Sequence, residues 1–422
     1  MSRIMLKTTV GLAVTLASTS IFASGFAVNE QSISGMGTGF AGRSSAAQDA
    51  STVYGNPAGM SRLKREQVTG GVTLINAHTD ISDVSSSPNG GSNDGDMVPL
   101  IGIPMGYYVK PLDEQWTVGV GVYAPFGMVT DYENGFAGRY FGTKSSVEVV
   151  TFQPTVSYAF NERISVGFGP TINRIEGALE SNLSLTQAAP DGSVRVKGDD
   201  IALGFNIGVL AQLTDSTRVG LTYHSKVDYK LEGDTKVDYS LFALGGLGKN
   251  QKFDASLDVT TPESVDFSVT HELNDQWTLY AGSTWTHWSR LKDITIENSG
   301  VPGALAGQFG EITEKQNWHD TWAHAIGASY QLNKQWVLRT GLSFDQSPVN
   351  NTDRSPRIPS GDRTIFSVGA GWSPTDDLTI DVAYSYLQEE AVHLNNKGHG
   401  QTYSAKYENW ANAFGAGVTY RF

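Results

Sequence analysis

The chain has 422 residues, with 30 Lys and Arg against 43 Asp and Glu, 47 glycines and no cysteine. The absence of cysteine excludes thiolate metal sites, disulfides and a thiol nucleophile, and the net charge of −13 argues against nucleic acid as a partner. No run of about 18 apolar residues is available to form a transmembrane helix.

Residues 1–23 have the layout of a secretory signal peptide. Arg3 and Lys7 precede an apolar run, and Ala23 offers a small residue for cleavage. We therefore expect the protein to be exported and the mature chain to start at Ser24. The alternative is a buried N-terminal helix.

Residues 24–66 show no regular alternation, and they contain small residues and glycines at positions 35, 37, 39 and 42. The segment is too long to be an ordered tail, so we predict that it forms a hatch, or plug, inside a barrel. A disordered periplasmic tail is the alternative. The Gly-x-Gly-x-x-Gly run from Gly37 to Gly42 has no preceding strand and no βαβ unit, and it therefore does not predict a nucleotide cofactor.

From residue 67 onward, short turns and long polar segments alternate. Six short turns, each followed by period-two alternation, are predicted at 111–114, 161–162, 214–216, 274–275, 333–334 and 374–377. Seven longer polar segments lie between them, at about 78–97, 128–145, 186–194, 233–252, 297–312, 347–362 and 393–402. Thirteen connections of this kind imply fourteen strands. Short turns at one end and long loops at the other are typical of outer-membrane barrels.

Alternation alone does not separate a transmembrane barrel from a soluble sandwich, but the aromatic residues do. Trp116, Trp277 and Trp336 follow the turns, where an interfacial girdle requires amphipathic rings, and the chain ends on a strand with Phe422. The sequence therefore predicts an all-β protein, with residues 67–422 forming a 14-stranded antiparallel transmembrane β-barrel in the outer membrane. A secreted β-propeller is the alternative, but its repeats would contain four short strands.

Two features of the predicted barrel could carry function. Pro125, Phe126 and Gly127 interrupt the third strand, because proline lacks the amide that a ladder needs and glycine weakens pairing. The triplet either bends the strand and opens the wall, or simply begins the next loop. The apolar run 240–247, with Leu241, Phe242, Leu244 and Leu247, lies in a predicted outer loop. It predicts a hydrophobic contact site or self-packing between loops.

No motif predicts catalysis or metal binding. The histidines are scattered without metal spacing, no Gly-x-Ser-x-Gly is present, and no cofactor is expected. An outer-membrane lipase remains an alternative, since Ser and His could meet on neighbouring strands. A general diffusion porin is a second alternative, although it would carry charged constriction loops.

Several motifs together resemble the FadL-type family of outer-membrane long-chain fatty acid transporters, which also includes importers of aromatic hydrocarbons. The resemblance rests on Gly25-Phe26-Ala27-Val28-Asn29-Glu30, on Asn56-Pro57-Ala58 as a plug signature, and on the loop segment from Ser347-Pro348-Val349 to Arg363. It implies a monomeric barrel with an N-terminal hatch, surrounded by outer-membrane lipids. The ligand would be a long-chain fatty acid or another hydrophobic small molecule. It would dock at the outer loops, enter an internal pocket and leave sideways at the kinked third strand.

The resemblance also implies roles for individual residues. Phe26 aligns with a hatch aromatic near the internal pocket. In the family two cations hold the ligand carboxylate. One aligns with His319, which strand parity turns inward, opposite to Trp318 and Trp322. The other aligns with Glu176, and the nearest cation is Arg174, whose parity faces lipid unless Pro170 introduces a bulge. This departure leaves the choice between fatty acid and neutral hydrocarbon open.

Overall fold

The computed structural model describes residues 25–88, 90–184, 190–398 and 400–422. The predicted signal peptide, 1–23, lies outside these described residues. Within them, no helix has the length and apolar character needed to cross a membrane.

Strands make up most of the described chain, and helices are short. The strands are β1 Gln67–Ser87, β2 Ile101–Pro111, β3 Trp116–Asp131, β4 Lys144–Ala159, β5 Ile164–Leu183, β6 Gly192–Gln212, β7 Thr217–His224, β8 Val227–Asp238, β9 Asn250–Thr261, β10 Ser264–Glu272, β11 Trp277–Thr286, β12 Asp293–Ser299, β13 Glu311–Lys315, β14 Thr321–Gln331, β15 Trp336–Asp345, β16 Arg363–Trp372, β17 Leu378–Glu389, β18 Val392–Gly398 and β19 Gln401–Arg421. The helices are α1 Ile33–Gly37, α2 Thr52–Gly55, α3 Ser240–Leu244 and α4 Ala306–Phe309, with 3₁₀ turns at Pro57–Arg62 and Trp288–Arg290.

The strands close into a single antiparallel barrel. Five barrel strands are interrupted in the described residues, so that β7 with β8, β9 with β10, β11 with β12, β13 with β14, and β17 with β18 each form one strand of the wall. The first strand, β1, pairs with the last, β19, from Gln67↔Arg421 to Ser87↔Thr402, and closes the barrel. The result is the predicted fourteen-stranded barrel.

Side chains alternate between the two faces of the wall as the period-two pattern predicts. On β15, Leu338, Leu342 and Phe344 are exposed, while Gly341 and Asp345 are buried on the opposite face. Trp116, Trp277 and Trp336 are exposed next to the short turns, as expected for an interfacial girdle.

The strands continue further into the predicted outer loops than the sequence indicated. The polar segment at 78–97 was expected to be a loop, but β1 runs to Ser87 and stays paired with β19. The hairpin of β18 and β19 likewise leaves a short connection where a loop was expected at 393–402. Above the membrane a strand no longer needs a lipid-facing apolar row, so its hydrogen-bonded ladder persists after the hydrophobic pattern ends.

Residues 25–66 pack against the inner faces of strands around the barrel. Asn56 holds the segment in place, because its Nδ2 donates to the carbonyls of Ser44 at 2.7 Å and Val209 at 3.0 Å. Its Oδ1 accepts from the amide of Ala58 at 3.0 Å, while Pro57 starts the 3₁₀ turn. Wall glycines allow this close approach. A Cβ on Gly220 would lie 1.9 Å from the carbonyl oxygen of Ser44.

Candidate functional site

An apolar cavity lies in the outer half of the barrel. We call it the upper cavity, and its empty volume, including its opening to solvent, is about 920 Å³. Its apolar lining includes Phe26, Met128, Ile175, Leu231, Val259 and Ile294. Such a lining suits an apolar ligand rather than a hydrated one.

A second cavity, the lower cavity, follows along the same strands toward the periplasmic end. Its empty volume, including its opening to solvent, is about 770 Å³, and its lining includes Arg43, Asn29, His224, Asn173, Thr284 and Phe126. On β5, Thr171 and Asn173 line the lower cavity, whereas Ile175 and Leu179 line the upper one. The inward row of a single strand therefore changes from polar to apolar on the way outward.

An aromatic cluster around Phe26 lies at the boundary between the two cavities. The ring of Phe26 lies 4.8 Å from that of Trp288, 5.8 Å from that of Phe126 and 5.9 Å from that of Trp318. Gly25 has φ +68°, and a Cβ there would lie 2.6 Å from Trp318. Only glycine fits this position without moving the tryptophans.

The third strand is kinked, and one edge of it is paired with the N-terminal segment instead of with β2. Pairing between β2 and β3 ends at Gly106↔Val122, and the register with β4 shifts between Tyr123 and Phe126. Beyond that point the amide of Val28 donates to the Pro125 carbonyl at 2.9 Å, and the amide of Gly127 donates to the Phe26 carbonyl at 2.8 Å. The wall is therefore interrupted between β2 and β3, and residues 26–28 cover the freed edge.

Proline occurs on both sides of this interruption. If the register of β2 and β3 continued, Pro104 would face Ala124, the residue before Pro125. Neither Pro104 nor Pro125 has an amide to donate to a ladder, so both edges are poor pairing partners. Pro125 was predicted from the sequence as a weak point and Pro104 was not, although a proline in the middle of a strand is a usable signal.

The sequence comparisons agree with this architecture. The model of the outer membrane protein transport protein family (OMPP1/FadL/TodX) matches residues 14–422. The chain belongs to this family. It is an outer-membrane β-barrel protein.

Named relatives and solved structures support the same family. The chain is 28% identical to the long-chain fatty acid transport protein of Escherichia coli O6:H1, over 99% of this chain and 98% of that protein. It is 29% identical to outer membrane protein P1 of Haemophilus influenzae, over 90% of each. The crystal structure of a Pseudomonas aeruginosa FadL homologue superposes with a TM-score of 0.84 at 26% identity, covering 94% of this chain and 99% of that one. The toluene transporter TodX of P. putida, at 18% identity over 90% of this chain and 95% of that one, shares the fold with a TM-score of 0.67.

In this family member, the two cations expected at a carboxylate lie away from the cavities. Arg174 is exposed on the outward face of β5, where its Nη2 lies 3.3 Å from Oε2 of Glu176. The register of β4 with β5 is the same on both sides of Pro170, from Val156↔Phe168 to Phe152↔Ile172. Since no bulge occurs at Pro170, the lipid-facing parity continues to Arg174.

The predicted orientation of His319 is wrong. His319 is exposed, whereas Trp318, which was expected to face away from the lumen, is 4% exposed and packs against Trp288 at 5.0 Å. Residues 316–320 form no strand between β13 and β14, so strand alternation counted from Trp322 does not extend to them. Trp288 and Trp318 were both missed as candidate site residues.

The upper cavity has one buried guanidinium in its lining, and that group already has partners. Arg357 donates its Nε to both carboxylate oxygens of Glu314 at 3.1 Å. Its Nη1 donates to the carbonyls of Lys144 and Glu180 and to Ser145 Oγ. These bonds fix the loop of residues 346–362 over the cavity and leave Arg357 poorly placed to receive a ligand carboxylate.

The apolar run in the outer loop mainly packs against neighbouring loops. Phe242 is 5% exposed and its ring lies 6.1 Å from that of Phe309 on α4. Leu241 and Leu247 pack partly against the same cluster, while Leu244 is 83% exposed. The four residues therefore do not form one continuous apolar surface.

An ion pair joins two other outer loops. Nε of Arg139 lies 2.7 Å from Oδ2 of Asp191, and the hydroxyl of Tyr140 donates to Oδ1 of Asp191 at 2.8 Å. Partial burial raises the pKa of Asp191, but the hydrogen bonds from Arg139, Tyr140 and Asn182 outweigh it and the pKa is lowered overall. Asp191 is therefore a charged anchor between loops at ordinary pH.

Proposed function

We propose that this protein takes up long-chain fatty acids and similar hydrophobic molecules through the outer membrane. The ligand enters the upper cavity from the outer loops and leaves sideways between β2 and β3, after residues 25–28 move away from the β3 edge. The process moves a ligand without making or breaking covalent bonds. We also propose, as the family resemblance implies, that the monomer is the working unit.

One observation carries this proposal. Phe26 lines the end of the apolar upper cavity, and its backbone carbonyl accepts a hydrogen bond from the amide of Gly127 in the interrupted wall. Below it, residues 25–66 pack across the lumen, which opposes free passage toward the periplasm. Burying an acyl chain is favourable by about 0.8 kcal/mol per CH₂, so a long tail has ample affinity for such a cavity.

The relatives support the ligand class. Related proteins are named for long-chain fatty acid transport, and toluene transporters share the fold. Uptake of neutral hydrocarbons remains the second candidate function, because Arg174 faces outward and Arg357 is already bonded to Glu314. Neither cation offers a free partner to a carboxylate in the upper cavity.

Uptake of radiolabelled oleate and of radiolabelled toluene tests the proposal in cells that lack their own transporters. We expect oleate uptake that depends on the protein, and oleate or another fatty acid among the molecules extracted from purified protein. A barrel that conducts small ions and sugars in planar bilayers, without either result, would refute the proposal in favour of a diffusion porin.

The sideways exit has its own test. Replacing Pro125 and Gly127 by Val adds an amide donor at residue 125 and raises strand propensity at both positions, and we expect it to reduce oleate uptake. Replacing Pro111 by Val, at the periplasmic end of β2, is the matched control and should leave uptake unchanged. Normal uptake by the Pro125→Val, Gly127→Val variant would argue against the lateral route.

A further inference from the structure

We propose that the lower cavity binds the carboxylate of an amphipathic ligand, with Arg43 as its ion-pair partner, while the apolar tail occupies the upper cavity. This inference rests on the proposed function and deepens it by naming the head-group site. The site lies on the N-terminal segment rather than on barrel strands. It requires neither Arg174, which faces outward, nor His319, which is exposed.

Arg43 is a half-buried cation that forms no salt bridge among the described residues. Its Nη2 donates to Oδ1 of Asn29 at 2.7 Å, and its guanidinium lies 5.4 Å from the centre of the Phe40 ring. Neither an amide nor an aromatic face forms an ion pair with the guanidinium. A guanidinium has five N–H donors in a planar fork that matches a carboxylate. The remaining donors of Arg43 are therefore suited to a carboxylate that enters the lower cavity.

His224 provides a second polar group in the wall of the same cavity. Its ring lies 4.9 Å from that of Tyr54, and its Nε2 is shielded from solvent without a hydrogen-bond partner among the described residues. A buried ring nitrogen without a partner is costly. In the tautomer protonated at Nε2, His224 donates to an oxygen of the bound head group.

Three acids near Arg43 have to be considered because they would repel a carboxylate. One of them, Asp266, already accepts hydrogen bonds from Ser44 and from Thr284. Asp345 lines the lower cavity, and its cross-strand neighbour is the cation Arg363. Glu30 interacts with both Arg363 and Arg43, but burial raises the pKa of Glu30 and so favours its neutral form. None of these acids forms an ion pair with Arg43 among the described residues, so its guanidinium remains available to a ligand.

The length of β5 that lines the two cavities suits a ligand that occupies both. Asn173 in the lower cavity and Leu179 in the upper one are six residues apart on β5, about 20 Å along the strand. That length is comparable with an extended long acyl chain. A carboxylate at Arg43 would place the tail past the Phe26 cluster and into the apolar lining.

Binding of an acid and of its neutral analogue to purified protein in detergent tests this site. The probes are radiolabelled oleate and oleyl alcohol, which share a tail and differ in the head group. We expect Arg43→Gln to weaken oleate binding about tenfold or more and to change oleyl alcohol binding less than about twofold. Arg43→Lys keeps the charge and should bind oleate between the two. Arg62→Gln, which removes an exposed cation at the periplasmic side, is the matched control and should leave both affinities unchanged.

The outcomes separate the head-group site from the proposed function. If the wild type binds neither probe, the proposed function fails. If the wild type binds oleate and Arg43→Gln binds oleate equally well, or loses both probes to the same extent, the role of Arg43 is refuted. Should Arg43→Gln fail to fold, as judged by the heat-dependent gel mobility of the barrel, Arg43→Lys decides. The proposal would be overturned if Arg43→Lys had the same ratio of oleate to oleyl alcohol affinity as the wild type, and if the NMR signal of bound carboxyl-¹³C oleate were the same in both proteins.

Discussion

A reversible crosslink between the N-terminal segment and β3 should stop transport. Ala27 and Phe126 are paired residues on antiparallel segments, and the flanking bonds from Val28 to Pro125 and from Gly127 to Phe26 make them a non-hydrogen-bonded pair. Such pairs have Cα atoms about 4.5 Å apart, within the range that a disulfide spans. The chain has no cysteine of its own, so Ala27→Cys with Phe126→Cys offers a single possible intramolecular disulfide.

The structure allows an estimate of what the crosslink would oppose. Releasing residues 25–28 breaks the two backbone bonds and the bond from Gln31 Nε2 to the Ala124 carbonyl, each about 1 kcal/mol. Exposing the Phe26 ring adds roughly 2–3 kcal/mol. Together these terms are about 5 kcal/mol, which corresponds to a released population of about one in 10⁴. Burial of a long acyl tail, roughly 10 kcal/mol gross, is large enough to shift this equilibrium, whereas a covalent bond removes the released state altogether.

The assay is uptake of radiolabelled oleate by intact cells before and after oxidation, followed by reduction. We expect uptake by the double variant to fall at least tenfold on oxidation and to return on reduction, while Phe126→Cys alone responds to neither treatment. Proteolysis between the two positions, followed by nonreducing gel analysis, confirms that the bond has formed. Undiminished uptake in the fully crosslinked protein would falsify the idea that residues 25–28 leave the β3 edge.

Three further predictions concern packing of the N-terminal segment and the outer loops. Gly220→Ala places a Cβ against the N-terminal segment and should cost about 1–3 kcal/mol of stability in thermal unfolding, whereas Gly70→Ala, with its nearest neighbour at 3.8 Å, should be neutral. Because the pKa of Asp191 is lowered in the folded protein, its stabilisation of the outer loops is complete above the unfolded pKa and is lost as pH falls through the folded pKa. Limited proteolysis of the wild type should therefore accelerate in acid. The Asp191→Asn variant should be cleaved at the faster rate already at neutral pH. Phe242→Ala should destabilise the outer loops by about 3–5 kcal/mol and expose them to protease, whereas Leu244→Ala should change neither, since Leu244 is 83% exposed.

The barrel was predictable because lipid imposes a strict pattern on each strand. Every membrane-spanning strand needs an apolar outward row and a short polar turn, so rows such as Leu338, Leu342 and Phe344 are readable from the sequence. Above the membrane that requirement ends, and β1 therefore continues to Ser87 through residues that look like a loop. The orientation of Trp318 was predicted wrongly because this residue lies outside any strand. Its orientation depends on packing against Phe26 and Trp288.

The kink illustrates why the site itself needed the structure. Pro125 and Gly127 indicate a weak point in a strand, but they do not reveal what satisfies the freed backbone groups. Buried carbonyl and amide groups in a membrane protein require partners, and at this point the partners belong to residues 26–28, about a hundred positions away. The interrupted wall and the N-terminal segment therefore complement each other, because each provides hydrogen bonds that the other lacks. In the proposed route the exit is closed at rest, and it opens only when the segment that lines the ligand cavity moves.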